Sequence, residues 1–170
     1  VSSATNGGSA AAVTADDNVA VGFEALRVLA GGANNTAVGK RAMYTNAGGA
    51  NNTALGLNAL YTNASGGNNT AIGRSALEVA TGSNNTAVGM YASTTLSTGT
   101  RNVAVGKDAS YYSTIGSYNT SVGYSALSTD VDGDYNVAVG YEALKTQESD
   151  GANQAVYNTA VGAYAGTALT

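Results

Sequence analysis

The chain has 170 residues, 44% hydrophobic and 11% charged, with 23 glycines, a net charge of −4 and no histidine, cysteine, tryptophan or proline. These absences exclude Ser-His-Asp and Cys-His nucleophile systems, thiolate or imidazole metal centres and disulfide staples, so neither an enzyme nor a bound cofactor is expected. Seven basic residues with no basic run cannot neutralise a phosphate backbone, and no apolar run approaches the roughly 20 residues a bilayer demands, so no nucleic-acid partner and no membrane insertion are expected.

The opening Val1-Ser2-Ser3-Ala4 is neither a methionine start nor a charged-then-apolar leader, and residues 1–17 read as a lead-in or linker of a processed chain or of a piece cut from a longer one. Residues 18–170 read as one repeat domain. A word of the form Asn-Thr/Val-Ala/Ser-Val/Leu/Ile-Gly-x-x-Ala occurs nine times, its glycine at Gly22, Gly39, Gly56, Gly73, Gly89, Gly106, Gly123, Gly140 and Gly162. Seven of the eight steps are 16 or 17 residues and the last is 22, the surplus falling in the polar stretch Thr146 to Tyr157, which reads as one lengthened turn.

Seventeen residues with one short apolar word are too few for a helix pair and suit one turn of a coil. The predicted fold is all-β, a parallel β-solenoid (β-roll) of about nine 17-residue coils. Period-2 alternation sends Val38, Leu55, Ile72, Val88, Val105, Val122, Val139 and Val161 to one face, and the column Ala37 to Ala160 to the other. Small residues let another backbone approach closely, so a tight contact between chains is expected on the Ala/Gly face. The pairs Ala42-Met43, Ala59-Leu60, Ala76-Leu77, Ala126-Leu127 and Ala143-Leu144 read as a second wall. Two or three sizeable apolar side chains per coil hardly offset the ordering of its residues, which predicts an obligate oligomer, an intertwined or side-by-side homotrimer.

The word Asn34-Asn35-Thr36-Ala37-Val38-Gly39, followed by Ala42, resembles the Asn-Ser-Val-Ala-Ile-Gly word of YadA-like heads in trimeric autotransporter adhesins. Leu60 to Gly73 is similar to repeats of bacteriophage tail fibres and related bacterial surface proteins. The resemblance covers residues 18–166. It implies a trimeric left-handed β-roll on a virion or bacterial cell surface, host attachment, and often a separate C-terminal trimerisation or self-cleaving chaperone domain. The chain departs from the adhesin word in its longer period and in Thr36, Thr53 and Thr70, where valine is usual.

Several sets of residues are candidates for more than scaffolding. One asparagine per coil, Asn35 to Asn158, is expected to bond along the axis and cap turns rather than bind a ligand. The sequons at Asn34, Asn51, Asn63, Asn68 and Asn84 read as by-products of the repeat. Asp130, Asp132 and Asp134 resemble half of a calcium loop, but Gly133 stands fourth where an EF-hand needs glycine sixth, which favours a solvated acidic turn. The threonine column at Thr36, Thr53, Thr70 and Thr86 has Val or Ile two residues on instead of a second threonine, which argues against ice binding. Eleven tyrosines face a single phenylalanine, and Tyr111, Tyr112, Tyr118, Tyr124, Tyr135 and Tyr141 form the densest patch. Their phenols either contact a surface glycan or shield the coil flanks and gaps between chains. The expected function is a structural and adhesive fibre segment. The alternative is a self-assembling filament subunit joined end to end, with no receptor.

Overall fold

The structure is a computed structural model and describes residues 17–146 and 155–167. Most of the expected lead-in, and the middle of the lengthened turn after Thr146, lie outside the described residues. These contain no helix. The strands in chain order are β1 (Val19–Val21), β2 (Val28–Leu29), β3 (Thr36–Val38), β4 (Thr45–Asn46), β5 (Thr53–Leu55), β6 (Thr62–Asn63), β7 (Thr70–Ile72), β8 (Thr86–Val88), β9 (Val103–Val105), β10 (Thr120–Val122), β11 (Val137–Val139) and β12 (Thr159–Val161).

The chain is a parallel β-solenoid. Each repeat word supplies one strand of a nine-stranded parallel sheet, β1-β3-β5-β7-β8-β9-β10-β11-β12. The register places like on like: Thr36 against Thr53, Ala37 against Ala54, Val38 against Leu55. The 22-residue step leaves it intact, since Val137 pairs with Thr159 and Val139 with Val161. A smaller sheet, β2-β4-β6, stacks the opposite wall of the first coils and continues only as a single bridge between Thr62 and Val79.

The interior is narrow. Ala37, Ala54, Ala71, Ala87 and Ala138 are completely buried, as are the Ala-plus-aliphatic pairs Ala42-Met43, Ala59-Leu60, Ala76-Leu77, Ala126-Leu127 and Ala143-Leu144. The second wall expected from sequence is therefore present, and the two sets pack against each other inside one coil. The expected contact between chains on the Ala/Gly face is corrected: the alanine column is already buried within one chain. It faces the chain's own interior, because a 17-residue turn leaves no room for larger side chains between its two walls. The flanking positions of each strand, Thr36 and Val38 and their equivalents, point outward instead.

Coil corners force unusual backbone. Gly39 has φ +135°, and a Cβ there would lie 2.5 Å from the carbonyl oxygen of Gly56, so both conformation and stacking distance require glycine. Among the described residues, twenty-six that are not glycine also have positive φ, and they recur at fixed coil positions. Leu60, Leu77, Leu127 and Leu144 (φ 47–53°) are among them, each buried. A left-handed leucine is strained, and here the strain delivers the one large interior side chain of its coil.

Candidate functional site

The asparagine column is structural, as its spacing suggested. Asn52 donates its backbone N–H to Asn35 Oδ1 (2.9 Å), and its Nδ2 donates to Asn35 Oδ1 (3.1 Å) and to the Gly66 carbonyl (2.9 Å). The pattern repeats through Asn69, Asn85, Asn102, Asn119 and Asn136 to Asn158, all but the last buried. A second interior ladder joins Asn46 to Asn63, each closing a turn onto Gly49 or Gly66. Asp130 takes the same coil position. Its Oδ1 accepts the Gly133 N–H (3.0 Å) and its Oδ2 accepts from Asn136 Nδ2 (3.1 Å), at 1% exposure.

The acidic turn is therefore divided rather than gathered. Asp130 is turned into the coil, and Asp134 accepts the Ser117 N–H of the preceding coil (2.6 Å). Asp132 is buried with Oδ1 unbonded. The solvated acidic turn expected here is thus corrected for Asp130 and Asp132, which the coil encloses. No group of three metal-ligating side chains occurs among the described residues. The sequon asparagines Asn34, Asn51, Asn68 and Asn84 are exposed in left-handed corners one coil apart, whereas Asn63 is buried.

The outward face of the large sheet carries two columns, one led by Val19 and Thr36, the other by Val21 and Val38. All eighteen positions in its nine strands are Thr, Val, Leu or Ile, with no charge in the strip. Val19, Val21, Leu55, Val103 and Val161 are substantially exposed. A monomer rarely leaves so long an apolar strip open.

Tyrosines stand along both margins of this strip in its later coils. Tyr118, Tyr135 and Tyr157, each just before a strand, stack at centroid distances of 4.7 and 5.1 Å, with the Arg101 guanidinium 5.2 Å from the Tyr118 ring. Tyr124 and Tyr141, each just after a strand, stack at 5.2 Å, with Lys107 Nζ 5.0 Å from the Tyr124 ring. The Glu142 carboxylate raises the Tyr141 phenol above its ordinary range, aided by desolvation. Rings stacked on one another have spent their faces. Tyr135, stacked on both sides, and Tyr118 and Tyr124, each bounded by a ring and a cation, present edges and hydroxyls outward, not the open flat faces a sugar would cover.

Tyr111 and Tyr112 differ. They meet edge-to-face at 4.6 Å, and Tyr91 meets Tyr111 edge-to-face at 6.0 Å. Together with the Lys107–Asp108 ion pair, Ser125 and Ser128 they line an open cavity of about 330 Å³. Asp108 hydrogen-bonds Lys107 and raises its pKa. Sequence reasoning picked Tyr111 and Tyr112 from this group and considered Asp108 only as one of a carboxylate pair with Glu142, and it missed Tyr91, Lys107, Ser125 and Ser128. The available signal was the fall in side-chain size along two columns, Tyr91-Asp108-Ser125 and Tyr111-Ser128, once the repeats are aligned. Compared with family models, curated proteins and solved structures, the chain matches none.

Proposed function

We propose that the chain is a non-enzymatic fibre segment, three copies joined along the outward face of the large sheet, that holds and presents an attachment surface outside a cell or on a virion. The observation that carries this reading is the charge-free Thr/Val strip, nine strands and about 40 Å long at the usual strand spacing. Burying such a strip against copies of itself removes apolar area from water at roughly 25 cal/mol per Å² and leaves no charge unpaired. Three is the number implied by the adhesin-like word at Asn34–Gly39. The tyrosine margins then flank the joint between chains. A second reading rests on the ends: among the described residues β1 and β12 pair on one side only, and open strand edges template end-to-end joining into a receptor-free filament.

Light scattering of the intact chain over a range of concentrations separates these readings. A constant mass of three chains is expected. A mass that climbs with concentration into fibres favours the filament, and a stable monomer overturns both.

A further inference from the structure

At the coil position of Tyr44 and Tyr61 the two rings stack at 5.0 Å and 9°. Tyr111 occupies the same position, with Glu78 and Thr94 in the two coils before it and Ser128 one coil further on, so its ring has no neighbour in its own column. One corner away, Tyr91 gives way to Asp108 and then Ser125. The two neighbouring columns step from large to small one coil apart, Tyr91 to Asp108 and then Tyr111 to Ser128, and a cavity of about 330 Å³ lies where the smaller residues follow. None of its lining residues belongs to a strand of the large sheet, so it lies off the Thr/Val strip.

The chemistry of the notch is mixed in a particular way. Tyr112 is 55% exposed and contacts Tyr111 edge-to-face, with no ring stacked parallel on it. Ser125 and Ser128, each 6% exposed, bring small polar side chains to the cavity wall. Asp108 supplies carboxylate acceptors and Lys107 a donor, already neutralising each other. A net-neutral rim disfavours a phosphate, a sulfate or a free cation, each of which would face an equal like charge. Aromatic surface beside an ion pair and small polar groups suits a ring with an apolar face and a fringe of hydroxyls.

We propose that this notch binds one uncharged pyranose unit of a surface glycan, with Tyr112 and Tyr111 against the ring, and Asp108, Ser125 and Ser128 on its hydroxyls. The proposal rests on the fibre reading above and gives its attachment surface a ligand class. One site per chain makes the assembled fibre multivalent, so weak single contacts add through effective concentration.

The test is retention of the intact oligomer on immobilised cellohexaose, maltohexaose, mannohexaose and galactan, with heparin as the acidic comparison, followed by titration of the best ligand. Retention by at least one neutral glycan and not by heparin is expected. Tyr112→Ala and Asp108→Asn should each weaken binding about tenfold, as loss of one good contact implies, while Tyr61→Ala leaves it unchanged. Ser125→Leu, which fills the notch, should abolish it. Retention by heparin alone, retention by no neutral glycan, or binding unaffected by the notch variants overturns the proposal. Oligomer mass, measured on the same samples, reports on the fibre reading separately: a constant three-chain mass without glycan binding sinks the notch and spares the fibre.

Discussion

Two adjacent asparagines, Asn51 and Asn52, illustrate how one residue type holds two roles a single position apart. Asn52 is buried. Its side chain accepts the Asn69 N–H at 2.8 Å and donates to Asn35 and to the Gly66 carbonyl. Truncating it orphans the buried Asn69 N–H at about 1–3 kcal/mol and takes one of two donors from both the Gly66 carbonyl and Asn35 Oδ1, so Asn52→Ala should cost about 2–4 kcal/mol. Asn51 is exposed at φ 60°, a conformation asparagine tolerates and alanine resists, so Asn51→Ala should cost about 1 kcal/mol. Denaturant titration of the two variants checks the difference. Equal costs would mean the ladder contributes no more than a corner. The buried row was legible because an invariant spacing of one asparagine per coil matches what stacked side-chain amides need. The second, shorter ladder at Asn46 and Asn63 was not, since later coils replace asparagine there with Ala80, Leu96, Ser113 and Asp130.

At the level of the strand, alternation correctly divided each word into two faces but did not settle which face is inside. Both are apolar, and the larger side chains of Val38 or Ile72 look better suited to a core than Ala37 or Ala71. The deciding quantity is volume. A coil this short closes around alanine, and the second wall already fills the space with Met43 or Leu60. The tyrosines were only half legible for a related reason: composition reveals aromatic rings, but only register reveals that Tyr118 and Tyr135 cover each other's faces. The assignment of faces makes a paired prediction. Ala71→Leu forces extra volume into a fully buried position and should destabilise each chain by about 1–3 kcal/mol or more. Ile72→Lys, one residue along, places a charge on the outward strip. It should leave the isolated coil folded, by circular dichroism, while reducing the oligomer mass. The opposite pattern would restore the alanine face as the contact between chains.

Along the whole rod the hydrophobic interior is not continuous. One buried cluster runs from Ala37 to Ala109 and a second begins at Ala126. Nearly every coil between them and beyond holds a large aliphatic side chain inside: Met43, Leu60, Leu77, Leu96, then Leu127 and Leu144. The coil from Asp108 to Asn119 has Ser110 and Ser113 at the corresponding places, and Ser121 replaces the usual alanine on the next strand. Ser110 and Ser121 share a hydrogen bond of 2.8 Å across the interior. In a solenoid, stability is a sum over coils and their neighbours, so losing one buried leucine, worth roughly 1.5–3 kcal/mol, weakens that coil locally. Amides from 108 to 119 should therefore exchange with solvent about tenfold or more faster than their equivalents from 58 to 69. Ser110→Leu should restore protection, because the left-handed corner already accepts leucine at five equivalent positions and Ser121 keeps a bond to the Val103 carbonyl (3.3 Å). The tyrosine-lined notch lies on this same coil. If exchange is instead uniform along the rod, the packing of neighbouring coils, rather than each coil's own interior, sets local stability, and the notch sits on a rigid support.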